Sequence, residues 1–206
     1  HLFAAAKPTY KPYTFAVRLP GARFESDEIV IPSKLFQLTF STHDPETAVY
    51  AANGFARLLY SPFKLPGGNQ MKPVSLRMVR EAPVKADKIL IRLMSPLLVR
   101  DHEALNDKKY LLPGDSRFIK CLRHTVRYQL ERATIADPNL SEEFNIIPVQ
   151  HKKVVIHYYG QTIDGSIGTF MLSGPRILLE HLYQSGLGSR RGAGFGMFEI
   201  LCQEGD

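Results

Sequence analysis

The residues with the clearest chemical reach lie near the carboxyl end, in GLGSRRGAGFG from Gly186 to Gly196. Two Gly-hydrophobic-Gly units flank five residues, Ser189 to Ala193, that include Arg190 and Arg191. Glycines at this spacing let a backbone approach another surface closely, and guanidiniums beside them suit an anion. A phosphodiester meets both conditions, because amide N–H groups and a bidentate fork each pair with phosphate oxygens. The common nucleotide loops do not fit. A dinucleotide fingerprint would need glycine where Arg191 stands, with a strand before the loop and a helix after it. Here the order is reversed: GPRILLEHLYQSG (Gly174 to Gly186) has helical periodicity, whereas FGMFEIL (Phe195 to Leu201) alternates like a strand. No Gly-Lys-Ser/Thr follows, which excludes a P-loop. A helix C-cap at Gly186 accounts for one glycine and leaves the others and both arginines unexplained.

The segment resembles the signature of the CRISPR-associated endoribonucleases of the Cas-six type, within the RAMP superfamily. Gly186, Leu187 and Gly188 correspond to its first half, Ser189 to Ala193 to its basic middle, and Gly194, Phe195 and Gly196 to its second half. MSPLLVRD (Met94 to Asp101), YLLPGD (Tyr110 to Asp115) and SIGTFMLSGPRILLEHLYQSGLG (Ser166 to Gly188) are similar to the same family's C-terminal half. The resemblance implies CRISPR repeat RNA, or the crRNA cut from it, as partner. It also implies the cytoplasm of a prokaryote, and it leaves other CRISPR effector subunits and a homodimer open as further assemblies.

Composition agrees without singling the family out. The chain has 206 residues, 44% of them hydrophobic, enough for one or two domains with a proper core. Lys and Arg total 26 against 20 Asp and Glu, and the resulting charge of +6 favours a polyanionic partner. Cys121 and Cys202 stand at no metal-binding spacing and suggest no disulfide scaffold, which fits a reducing compartment. No apolar run reaches membrane length and no signal-like segment opens the sequence.

The elements that must position the glycine-rich turn read as follows. Downstream, strand (Lys88 to Met94), helix (Asp115 to Arg132), strand (Val154 to Tyr159), strand (Gly168 to Ser173), helix (Pro175 to Gln184) and strand (Phe195 to Cys202) make one βαββαβ ferredoxin-like unit. Upstream, strands at Tyr13 to Leu19 and Leu35 to Ser41, a helix at Pro45 to Leu59 and a strand at Val74 to Arg80 repeat that order without its first strand and first helix. The helix has Asp44 as cap, Pro45 in its first turn and Val49, Ala52, Phe55, Ala56 and Leu59 on one apolar face. The expected architecture is therefore α+β, with tandem ferredoxin-like units over residues 1–82 and 83–206 joined through Glu81 to Asp87. The first unit is expected to lack its opening strand and helix, about thirty residues on the usual size of those elements. No sequence repeat links the two halves, so the duplication is one of topology.

The family's reaction, as the resemblance implies it, is metal-independent attack of a ribose 2′-hydroxyl on the adjacent phosphate. It leaves a 2′,3′-cyclic phosphate and a 5′-hydroxyl. Such chemistry needs a base near neutrality, a cation for the phosphate oxygens and a firm grip on the strand. KPYTF (Lys11 to Phe15) corresponds to the family's lysine-bearing strand, which assigns Lys11 as the cation and His1, the histidine upstream of it, as the base. His43, just before a helix N-terminus that would lower an imidazole pKa, is the reserve base. His102, His124, His151, His157 and His181 read as packing or surface residues.

A basic stripe, Arg117, Lys120, Arg123 and Arg127, recurs at helical spacing opposite Phe118, Leu122 and Val126. Such a stripe is either a solvated face or a phosphate-binding one, and the resemblance favours RNA. With Arg100 and the turn residues Gly186, Gly188, Ser189, Arg190, Arg191, Gly194 and Gly196, it completes the expected RNA-binding set. Tyr158, Tyr159, Phe170 and Phe195 could stack bases or pack a core. No histidine or carboxylate spacing suggests a metal, and no cofactor is expected. Two functions stay open: a processing endoribonuclease, and a non-catalytic RAMP subunit that holds crRNA.

Overall fold

The computed structural model describes residues 10–25, 28–104, 109–134 and 136–205. In the N-terminal half, β1 (Tyr13–Arg18) pairs antiparallel with β2 (Gln37–Thr42), Tyr13 opposite Thr42 and Arg18 opposite Gln37. Helix α1 (Pro45–Leu58) follows at once, because the Asp44 carboxylate accepts the Thr47 amide at 2.9 Å and Pro45 presets the first turn. Ala52 and Phe55 of its apolar face are half-buried, as is Leu59 just beyond it, and the Phe55 ring meets Phe40 of β2 edge-on at 5.8 Å. Val49 and Ala56 are exposed.

The strand expected at Val74 to Arg80 does not form. That stretch has no ladder partner, and Val74, Leu76, Met78 and Val79 all stand exposed. In a βαββαβ unit the last strand pairs with the first, and no strand among the described residues takes that place. An alternating sequence without a neighbour for its N–H and C=O groups stays irregular.

The C-terminal half is complete. β3 (Lys88–Leu93), α2 (Phe118–Ala133), β4 (Asn145–Tyr158), β5 (Gln161–Ser173), α3 (Arg176–Ser185) and β6 (Phe198–Gln203) follow in βαββαβ order, and the sheet runs β4-β5-β3-β6, all antiparallel. Ile89, Ile91 and Leu93 of β3 alternate inward against Leu122, Val126 and Leu130 of α2 and Leu178, Leu179 and Leu182 of α3, all at most 4% exposed. The hydrophobic core sits here. The protein is thus an α+β fold of tandem ferredoxin-like units, with β1, β2 and α1 standing for the first.

Several boundaries differ from the sequence reading, and helix α2 begins at Phe118 rather than Asp115. β4 and β5 are much longer than expected, because they form a hairpin that outruns the sheet. β5 meets β3 only from Thr169 to Ser173, and beyond that point, apart from one antiparallel bridge between Ser166 and Leu97, the two strands pair with each other as far as Tyr158 and Gln161. The last strand begins at Phe198 rather than Phe195, since the intervening residues still belong to the glycine-rich turn. No helix among the described residues is long and apolar enough to cross a membrane.

Candidate nucleic-acid interface

The turn from Gly186 to Gly196 joins α3 to β6 and is clamped at its ends, where the Leu187 amide donates to Gly196 O at 2.8 Å. Gly196 has φ +71°, and a Cβ there would stand 1.8 Å from Leu187 O, so no other residue fits. The Ser189 amide donates to Leu98 O at 2.7 Å, and the Arg100 amide donates to Ser189 Oγ at 3.3 Å. Gly188 leaves only 2.5 Å between a would-be Cβ and Leu98 O.

The surface these glycines approach so closely is the protein's own. Gly186 lies against Thr14, Gly192 against the Lys11 side chain and Gly194 against the Phe15 ring, with a Cβ at each falling 2.4–2.8 Å from them. Thr14 Oγ1 donates to Phe195 O at 3.0 Å across the same seam. The glycine pattern therefore docks β1 on the turn. The close approach read from the sequence is met by the N-terminal half of the chain, and several of the amides offered to an anion are already bonded inside.

The two arginines part company, which corrects the expectation of paired guanidiniums on one surface. Arg190 is exposed in a left-handed conformation, φ +59°. Its Nε donates to Tyr110 Oη at 2.5 Å and its guanidinium lies 4.8 Å from the Tyr158 ring centroid. Arg191 is 7% exposed and turns inward, donating from Nη1 to Ser185 O at 2.7 Å beneath the Tyr10 ring, 5.4 Å from its centroid. It satisfies one of the carbonyls orphaned at the end of α3. Burial lowers the Arg191 pKa, against the opposing pull of Tyr10.

Sequence reading did not foresee the cluster of rings beneath this turn. His43 and His181 meet edge-to-face at 4.5 Å, and Tyr10 stands 6.2 Å from His43. His181 is 1% exposed, and burial, then His43 and Arg191, push its pKa down to about 3. Burial and Arg191 lower that of His43 as well, and His43 Nδ1 is buried without a hydrogen-bond partner. Both imidazoles are therefore neutral at pH 7. They are far apart in the chain and come from opposite halves, so no local pattern announces the pair. Lys11 is exposed and lies against Gly192, the residue after Arg191. His1 lies outside the described residues.

The basic face of α2 is largely compensated. Arg117 pairs with Asp101 at 2.8 Å and with Glu103, Arg127 with Glu131 at 3.1 Å, and Arg123 with Glu142 at 3.9 Å while its Nε donates to Phe144 O. Lys120 is exposed with no ion pair among the described residues. This face lines a shallow cavity of about 460 Å³ with His124 and Tyr128. Arg100 is half-buried on a two-residue strand opposite Tyr110.

Residues 79–200, more than half of the chain, match the family described as CRISPR associated protein Cas6, C-terminal. The chain belongs to the Cas6 family. Its fold is similar to that of a Cas6-related protein from Pyrococcus furiosus, with TM-score 0.81 at 22% identity over 95% of this chain and 79% of that one. It is also similar to a structure described as a RAMP protein binding different RNA substrates, with TM-score 0.80 at 20% identity over 93% and 80% of the two chains. A Cas6 product complex follows with TM-score 0.60 at 16% identity over 95% and 84%. No curated protein sequence matches the chain significantly. The Cas6 profile spans the glycine-rich turn, α2 and the β4–β5 hairpin, and stops short of β1, so it leaves Lys11 outside its reach.

Proposed function

We propose that this Cas6 protein cleaves CRISPR repeat RNA to mature crRNA without a metal. The 2′-oxygen forms a bond to the adjacent phosphorus as its proton passes to a base. The bond from phosphorus to the 5′-oxygen breaks, and that oxygen takes up a proton, leaving 2′,3′-cyclic phosphate and 5′-hydroxyl ends. Lys11 neutralises the phosphate oxygens in the crowded transition state. His1 is the base, and Arg190, Arg100, Lys120 and the remaining basic residues of α2 hold the strand. Arg191, together with Gly186, Gly188, Ser189, Gly194 and Gly196, shapes the turn that presents them.

The observation that carries this reading is the seam, where the Lys11 side chain of β1's lead-in lies against Gly192, in the same turn that carries the exposed Arg190. We place the boundary between the units at residues 82 and 83, in the irregular stretch before β3, and the protein in the prokaryotic cytoplasm. The test is incubation with the host's repeat RNA in chelator. The expected product ends in cyclic phosphate, and Lys11→Ala is expected to slow its formation at least 100-fold, within the range electrostatic donors supply.

A second reading has the protein hold crRNA without cutting it, as a subunit alongside other CRISPR effector proteins. Its fold likeness to a RAMP protein that binds different RNA substrates favours it. Tight binding with no cut in the same assay selects this reading, and sedimentation of the free protein and the RNA complex reports whether a homodimer forms.

A further inference from the structure

The projecting end of the β4–β5 hairpin carries a residue that folding does not explain. Tyr159 occupies the turn with φ +47°, followed by Gly160 at φ +72°, so both central positions are left-handed. Asn or Gly is the ordinary choice at the first of these, because a Cβ-bearing ring is strained there. The strain gains no burial in return, since Tyr159 is 90% exposed. Its ring stands edge-to-face to Tyr158 at 4.7 Å, and Tyr158 in turn meets Phe195 of the glycine-rich turn at 5.8 Å and the Arg190 guanidinium at 4.8 Å. Arg190 also has positive φ, and no carboxylate pairs with it among the described residues. Two costly backbone conformations thus converge on Tyr158, against which both the open Tyr159 ring and the Arg190 guanidinium pack. Strain of this kind is retained where a site requires it.

We propose that this surface is a nucleobase-stacking site: an unpaired base of bound RNA lies on the Tyr159 ring while Arg190 holds the neighbouring phosphate. Single-stranded nucleic acid suits it because every base has a π-face and every nucleotide a phosphate, whereas a duplex keeps its bases stacked on one another. Tyr158 and Phe195 brace the platform from behind, and the Arg190 to Tyr110 hydrogen bond fixes the guanidinium. The proposal rests on RNA binding and on neither of the catalytic residues.

Tyr159→Asn separates a binding role from a structural one, because asparagine suits the turn. Its melting temperature should equal the wild type's or rise by about 2–4 °C, as expected for up to about 1 kcal/mol in a chain of this size. A short single-stranded RNA bearing 2-aminopurine should bind the wild type with quenched fluorescence. It should bind Tyr159→Asn about 5- to 100-fold more weakly and without the quenching, the range seen for loss of one base–aromatic stack. Tyr159→Phe should restore both, since the ring face is kept. Equal affinity and equal quenching in Tyr159→Asn overturns the stacking site and leaves RNA binding in place. A change in oligomeric state with RNA affinity unmoved overturns it in favour of a protein contact. RNA that binds neither protein overturns both this site and the reading beneath it.

Discussion

At the scale of single residues, the glycines of the turn differ in what they tolerate. Gly196→Ala puts a methyl group into Leu187 O at a positive φ and is expected to cost more than about 3 kcal/mol, read as loss of a cooperative melting transition. Gly192 has no positive φ, and the atoms nearest a Cβ there all belong to the flexible Lys11 side chain. Gly192→Ala is therefore expected to keep the fold, with a cost near 1 kcal/mol, and yet to displace Lys11 and slow RNA cleavage. A melting curve and a cleavage rate on the same sample check both. His181 gives a pH prediction. Below pH 6.5 the unfolded chain takes up a proton that folded His181 refuses until about pH 3, so stability is full above 6.5 and falls as pH drops through that window. At pH 5 the loss is on the order of 2 kcal/mol, at about 1.4 kcal/mol per pH unit. In His181→Gln the fall in melting temperature between pH 7 and pH 5 should be visibly smaller. The sequence announced the glycines and the arginines by type and spacing, but what each side chain faces depends on β1 arriving from the other half. Arg190 and Arg191 are adjacent and chemically identical, and only the packed turn sends one outward and the other to Ser185 O.

At the scale of elements, α1 and the C-terminal unit were legible because their signals are local: a capping aspartate, a proline at the first turn, and apolar residues at period 3.6 or 2. The hairpin length and the missing strand at Val74 to Arg80 were not, since both depend on pairing partners distant in sequence. β4 carries His151, Lys152 and Lys153 on its exposed ribbon, so hydrophobic alternation fades there even though the ladder continues to β5. Helix α2 ends on Thr134 at φ +55°, a left-handed position that a β-branched residue occupies at a cost. Thr134→Gly is expected to stabilise the protein by about 0.5–1 kcal/mol, measured as a shift in the denaturation midpoint at unchanged slope.

At the scale of the whole molecule, the two halves are unequal. The C-terminal unit owns the core, whereas Val17, Phe36, Leu38, Val49, Met78 and Val79 leave apolar surface bare on the N-terminal half. Exposed patches and unpaired edges of this sort promote association. Met78→Lys with Val79→Lys should raise the concentration at which light scattering appears, with melting temperature held within about 1 °C because neither side chain is packed. The turn helps to keep the lesser half in place, through Thr14, Phe15 and Lys11, alongside the His43–His181 contact to α3. Anything that immobilises the outer rim of that turn therefore also steadies β1 from behind. Polyanion occupancy on one side of the wall should show up as slowed amide exchange on the other.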